Sequence, residues 1–268
     1  MAQDSDRVWA DSMSEAYERW LAPTVFRPFA VDLARRILVH APKRVLEVAA
    51  GTGVLTRELV AMDAAGAVTA TDLNDAMVEV GRRLAPGATW RRADAMALPF
   101  GAGEFDLVAC QFGVMFFPDK PAAFAEARRV LSPAGRLVVN TWDTLDAHDF
   151  QAALVAGLER AFPDDPPTFM VSVPHGYADV DAVVSDIRAG GFDDVVVESV
   201  TLEGHAVSAA AVATGYLTGT PVRAEIESRG DLAATTAIVA SEMEARLGSG
   251  SITGRMTAHV VEATPRRR

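Results

Sequence analysis

The chain has 268 residues, half of them hydrophobic, which suits one large α/β domain or such a domain with a cover. A net charge of −11 speaks against a nucleic-acid partner, because phosphate backbones are held by basic surfaces. The single cysteine, Cys110, excludes an internal disulfide and any cysteine-based zinc site, and its place at a strand end suits a small buried hydrophobe.

In chain order, the start, residues 1–7, lacks the basic-then-apolar pattern of a signal peptide. No apolar run approaches the ~18 residues of a membrane span. A soluble cytoplasmic protein with no membrane partner is the expectation. Trp9, Met13, Tyr17 and Trp20 then fall on one stripe of a helix. Pro23 is expected to break that helix, and a second one carries Phe26, Phe29 and Leu33. Such a stripe serves equally as core or as a cover over a ligand.

Residues 45–53, Val45-Leu46-Glu47-Val48-Ala49-Ala50-Gly51-Thr52-Gly53, read as a strand, a turn of small residues and the start of a helix at Val54. Small side chains let a ligand lie on the backbone, and the helix start offers unpaired N–H groups. A dinucleotide fingerprint wants Gly-x-Gly-x-x-Gly. Counted from Gly51, Gly53 fills the second place but Thr56 stands in the third. Glu47, four residues before Gly51, repels phosphate and attracts an ammonium group. The loop therefore suits a ligand with a cationic amino-acid end and no phosphate, the shape of S-adenosylmethionine.

Ala67–Asp72 reads as a second strand ending in a carboxylate 25 residues after Glu47. The spacing of a ribose-binding acid is about 20 residues past the glycine turn. Asp72 could accept from both ribose hydroxyls or merely cap the next helix, for which Asn74 is also a capping type. Next come Arg91–Phe100, with Asp94, and Phe105–Asp119, read as a fourth strand running into a loop. Leu131–Trp142 suggests a helix end, a Pro133/Gly135 stop and a fifth strand.

These five segments, in this order and spacing, resemble the motifs of class I S-adenosylmethionine-dependent methyltransferases. The first motif matches hydrophobic-(Glu/Asp)-x-Gly-x-Gly-x-Gly except that Ala49 replaces its first glycine. The resemblance covers 44–142 firmly and is closest to ubiquinone/menaquinone-biosynthesis and related small-molecule enzymes. It implies a doubly wound, Rossmann-like sheet of seven strands with the last antiparallel, and S-adenosylmethionine as cofactor. Glu47, Ala49, Gly51, Gly53 and Asp72 would then bind the cofactor, Leu73 would press on the adenine, and Asp94, Ala95 and Met96 would meet its edge. Gln111 and Phe112 would stand beside the reacting methyl group. N-terminal helices of the family act as a lid, with Tyr17 and Arg27 as candidates to face the sulfonium and the methionine carboxylate.

Beyond the fifth strand, helices are expected at Phe150–Leu158 and Asp179–Ala189, and strands at Asp194–Val200 and Met256–Glu262. Between those strands lie two helical stretches split by Gly219-Thr220-Pro221, where the family has a tight hairpin. The expected organisation is a lid (1–40), a core (41–204 and 251–268) and a substrate-side insertion (205–250). His148 and His175 follow the fifth strand and are the candidate bases, with core or surface histidines as the plain alternative. Tyr177 and Tyr216 are similarly placed.

No acidic cluster suits a metal, and Cys110-Gln111-Phe112-Gly113 is not the Asn/Asp-Pro-Pro-Tyr of amino-methylating enzymes. The implied activity is methyl transfer to a small, partly apolar molecule, with a homodimer left open. Non-methylating chemistry on the same cofactor and a nicotinamide oxidoreductase are the rivals.

Overall fold

The structure, a computed structural model, describes residues 11–62 and 66–266. Trp9, residues 1–7 and the last two arginines lie outside that range. Along the chain run α1 (Asp11–Ala16), a π-helical stretch (Tyr17–Phe26), α2 (Arg27–Val39), β1 (Arg44–Val48), α3 (Val54–Ala61), β2 (Ala67–Asp72), α4 (Asp75–Leu84) and β3 (Thr89–Arg92). β4 (Phe105–Gln111), α5 (Lys120–Val130), β5 (Leu131–Trp142), α6 (Asp149–Ala161), the short α7 (Phe169–Ser172) and α8 (Val180–Ala189) follow. The last elements are β6 (Phe192–Ala206), α9 (Ala209–Gly219), α10 (Val222–Glu227), α11 (Leu232–Leu247) and β7 (Ile252–Pro265).

The seven strands form one sheet in the order β3-β2-β1-β4-β5-β7-β6. β1 pairs in parallel with β2 and β4, and β7 runs antiparallel to β5, Leu137 opposite Ala263. This is the expected doubly wound architecture with its antiparallel last strand. β1, β4 and the second half of β5, from Leu137 on, are buried at nearly every position, as strands covered on both faces must be. The strand order reverses between β1 and β4, and in such sheets ligands bind at the carboxyl ends beside that switch point.

The chain divides into two compact units. One holds Phe29–Trp142, Tyr177–Val200 and the chain from Ala258 on, with most of the sheet. The other holds the chain up to Pro28, Asp143–Gly176 and Thr201–Thr257. Within the latter, Gly157 lets α6 meet α11: a Cβ there would stand 2.8 Å from the Val239 Cα. Arg160 on α6 also pairs with Glu242 on α11 at 3.0 Å.

Three expectations need correction. Pro23 does not break the N-terminal helix; it lies inside the π-helical stretch. The wider winding bonds i to i−5, as from the Arg27 N–H to the Ala22 carbonyl, and so makes room for a ring that would clash with the carbonyl four residues back in an α-helix. Residues 131–135 are not a stop before β5 but its first part, with Phe105 opposite Leu131 and a register shift before Leu107 meets Arg136. β6 and β7 are each about twice the expected length, and a further helix, α10, begins at Val222 right after the Gly219-Thr220-Pro221 break. Among the described residues no helix is long and apolar enough to cross a membrane.

Candidate cofactor site

The predicted cofactor residues of the sheet-bearing unit come together at the carboxyl ends of β1 to β4. Glu47 is the second-last residue of β1 and is 1% exposed. The Thr56 hydroxyl, one turn into α3, donates to its carboxylate. Burial pushes the Glu47 carboxyl up to about 8; the Thr56 bond opposes this, Asp72's charge adds to it, and Arg57 opposes it. Glu47 is therefore mostly protonated at neutral pH, and an ammonium group placed beside it would draw that proton off. Thr56, which counted only against a dinucleotide reading of the sequence, is the side chain that orients Glu47.

The turn after β1 carries positive φ at Ala49 (53°), Gly51 (56°) and Gly53 (84°). A Cβ at Gly51 would meet nothing within 4 Å, so the backbone there presents an open face. At Gly53 a Cβ would stand 2.7 Å from the Trp90 ring, so this glycine serves packing as well as the turn. Ala49 bears the strain that the family's glycine avoids, and its Cβ is accommodated by Gly113, where an added Cβ would stand 2.7 Å from it. An Ala49→Gly variant should gain about 0.5–1 kcal/mol of stability in urea unfolding. No gain would mean that the Ala49 methyl group contributes packing that offsets its strain.

Asp72, half-buried at the end of β2, accepts from the Gly51 N–H (2.8 Å) and the Asn74 N–H (2.9 Å). It thus holds the glycine turn against β2, and Asn74 takes the capping role by accepting from Met77 N–H at 3.2 Å. An ionised carboxylate offers about four lone-pair directions, the chemistry that a pair of ribose hydroxyls needs. Leu73 is half-buried, and its carbonyl accepts from Arg92 at 2.8 Å. After β3, Asp94 accepts from the Met96 N–H at 2.8 Å in a tight turn around half-buried Ala95.

At the end of β4, Gln111 is half-buried and stands in register with Asn140 of β5. Phe112 has φ 50° and is 5% exposed. Its N–H donates to the Asn140 side chain (2.9 Å), and its ring stacks on Trp142 at 3.5 Å and 9°. Phe29 meets both rings edge-on, at 5.4 and 5.1 Å. Positive φ on a bulky residue is rare and gathers at functional sites. Sequence reading missed Asn140 and Trp142; their signal is faint, a polar residue and an aromatic closing an apolar strand.

A family model described as "Methyltransferase domain" matches residues 46–139. The ubiquinone/menaquinone biosynthesis C-methyltransferase UbiE of Dinoroseobacter shibae is 30% identical over 210 residues, spanning 73% of this chain and 76% of that enzyme. A demethylmenaquinone methyltransferase of Thermus thermophilus is 42% identical over 118 residues, 42% of this chain and 52% of that one. In fold, a SAM-dependent methyltransferase from Thermotoga maritima superposes with a TM-score of 0.58 at 18% identity, over 96% of this chain and 98% of that one. The chain belongs to the class I S-adenosylmethionine-dependent methyltransferases, in their ubiquinone/menaquinone-biosynthesis-like group.

As such a methyltransferase it moves a methyl group from S-adenosylmethionine to a small, partly apolar molecule. Of the remaining candidates of this methyltransferase, Tyr17, Arg27, His148, His175 and Tyr216 lie in its other unit and Tyr177 in the sheet-bearing one. Tyr17 stacks on Phe26 at 4.8 Å, 30° between planes, while Arg27 is exposed at the start of α2. His148 caps α6 and His175 sits in the loop before α8; they are 0% and 8% exposed, with ring centroids 4.5 Å apart. The surface-histidine alternative is thereby removed. Burial, with a smaller contribution from His175, lowers His148 to about 3, and burial also lowers His175. Both imidazoles are neutral at pH 7. Tyr177 is tied down in the sheet-bearing unit, donating to Asp186 at 2.8 Å with the Lys120 ammonium 4.7 Å from its ring. Among the described residues no group of three or more His, Cys, Asp or Glu side chains could hold a metal ion.

Proposed function

We propose that Glu47, Gly51, Gly53, Asp72, Asp94 and the backbone around Ala49, Leu73, Ala95 and Met96 bind S-adenosylmethionine, and that the methyl acceptor is a hydroquinone-type ring. The observation that carries the cofactor assignment is the buried Glu47 carboxyl, held by the Thr56 hydroxyl, beside a turn whose Gly51 backbone lies open. A buried carboxyl with a single hydroxyl partner fits an incoming ammonium group, and Asp72 fits a pair of hydroxyls. The donor set therefore fits the group.

When bound, the cofactor supplies an activated methyl group whose bonding electrons return to sulfur. What this chain adds is placement. Glu47 fixes the amino-acid end, Asp72 fixes the ribose end, and the strained Phe112 backbone sets the loop beside them. That loop runs Phe112-Gly113-Val114-Met115-Phe116-Phe117 and has no titratable group, which suits an apolar acceptor. The relatives' ubiquinone, menaquinone and demethylmenaquinone names support a quinone-derived ring as that acceptor, methylated at carbon.

Calorimetry tests the cofactor assignment. The protein should bind S-adenosylmethionine and S-adenosylhomocysteine but not NAD. Asp72→Asn should weaken the first two by about 100-fold, the worth of one lost hydrogen bond to a charged acceptor, without abolishing the cooperative melt. Binding of NAD, or unchanged affinity in the variant, would overturn it. Methyl transfer from labelled cofactor to 2-methyl-1,4-naphthohydroquinone then tests the acceptor class.

A further inference from the structure

The loop after β4 is held at both ends by side chains of the sheet-bearing unit that lie outside it. At its start the Phe112 N–H donates to Asn140 on β5 at 2.9 Å. Between the ends one tight helical turn spans Val114–Phe116. In it the Phe116 N–H donates to the Gly113 carbonyl (3.0 Å) and the Phe117 N–H to the Val114 carbonyl (3.2 Å). Gly113 lies against the glycine turn of the cofactor site: a Cβ there would stand 2.7 Å from the Ala49 Cβ. At the far end the Lys120 ammonium donates to the Phe117 carbonyl at 3.1 Å. The same ammonium is 4.7 Å from the centre of the Tyr177 ring, within reach of a cation–π attraction. That ring is buried and fixed in its turn, since its hydroxyl donates to Asp186 on α8 at 2.8 Å.

Helix stability does not account for a lysine at this position. Lys120 is the first residue of α5, directly after the cap Asp119, which accepts from the Ala122 N–H at 2.9 Å. A cation there faces the positive end of the helix dipole, where an acid is the stabilising choice. Local rules are broken in this way mostly at functional sites. We propose that Lys120 is a positioning residue for methyl transfer: its ammonium, steadied on the Tyr177 ring, holds the Phe117 carbonyl and, with Asn140 at the other end, fixes the loop 112–117. The loop's place beside the reacting methyl group rests on the function proposed above. Methyl transfer is an in-line displacement, so its rate depends on how closely the acceptor is held to the attack line. A loop released at one end still closes on Ala49 through Gly113, so the grip on the cofactor survives while the reacting end loosens.

The test compares the full chain with Lys120→Met, which keeps the length of the stem, and Lys120→Arg, which keeps a cation that donates to a carbonyl and stacks on a ring. Amide hydrogen exchange reads the loop, calorimetry reads the S-adenosylmethionine Kd, and labelled cofactor with 2-methyl-1,4-naphthohydroquinone, kept reduced under anaerobic conditions, reads kcat. In Lys120→Met the Phe116 and Phe117 amides should exchange about 10-fold faster, a charged hydrogen bond's worth, and kcat should fall about 10-fold. The Kd should stay within about two-fold and Tm within about 2 °C, because the lost contacts are offset by relief at the helix start. Lys120→Arg should restore both the loop protection and kcat. Unchanged loop exchange in Lys120→Met would overturn the proposal. So would faster exchange spread over the whole unit with a lower Tm, the mark of a merely structural residue. Faster loop exchange with an unchanged kcat would overturn the positioning role. Failure of the natural protein to methylate the naphthohydroquinone would instead overturn the acceptor class proposed above, and the exchange data with the Lys120→Arg rescue then decide the clamp on their own.

Discussion

Replacing Glu47 with Gln should make the free protein more stable at alkaline pH while stripping it of cofactor affinity. In the unfolded chain Glu47 ionises near its ordinary value of 4.5; in the folded protein it holds its proton up to about 8. Between those values the unfolded state sheds a proton that the folded state keeps. Stability from this group is thus complete below pH 4.5 and is lost as pH rises through 8. With the side chain 1% exposed, the loss is on the order of 4 kcal/mol, or about 8 °C in Tm for a chain of this size. Gln keeps an acceptor for the Thr56 hydroxyl and has no proton to lose. The fall in Tm between pH 5 and pH 8.5 should therefore be about 8 °C smaller in Glu47→Gln than in the natural protein. The carboxylates held below their usual range by Arg partners, Glu126 and Asp149 among them, are common to both proteins and cancel.

The same substitution reads the cofactor directly. An ammonium group arriving beside Glu47 ionises it, so binding to the natural protein at pH 7 should release up to about one proton. Calorimetry in buffers of different ionisation enthalpy counts that proton. Glu47→Gln should release none from this position and bind S-adenosylmethionine about 100-fold more weakly. Equal melting slopes and equal proton release would show that Glu47 is an ordinary exposed carboxylate, against its burial here.

Most of the fold was legible because it rests on local signals. The acid-ended strands at Val45–Val48 and Ala67–Asp72, with the small-residue turn between them, give both the parallel pairing and the candidate ribose acid without knowledge of any contact. The strand order follows from the family resemblance those motifs carry, not from periodicity. What stayed hidden depends on pairs distant in sequence. Thr56 looked like a missing glycine until its hydroxyl was seen on Glu47. Gly53 looked like ligand clearance, yet Trp90, 37 residues on, also occupies the space its side chain would need. Pro23 looked like a helix end because the rule that proline stops helices assumes i to i−4 bonding, which a π-helical stretch does not use. His148 and His175 were separable as candidates but not as a pair, since 26 residues, α6 and α7 among them, stand between them.

Phe112 carries the second large expectation. The chain leaves β4 through this residue at φ 50°, a conformation that costs a non-glycine residue about 1 kcal/mol or more. Three contacts hold it there: the bond from its N–H to Asn140, the stack on Trp142, and the edge of Phe29. Phe112→Ala removes the ring from a buried cluster and should cost about 3–4 kcal/mol in urea unfolding. It keeps the backbone strain, because alanine tolerates positive φ no better than phenylalanine does. Phe112→Gly removes the same ring and also the strain. At most positions glycine is the worse of the two by about 0.5–1 kcal/mol, through the entropy of the unfolded chain. Here the order should invert, with Phe112→Gly the more stable by about 1 kcal/mol. If glycine proves the worse substitution, the backbone at 112 is not held in the left-handed region in solution, and the loop after β4 takes another shape.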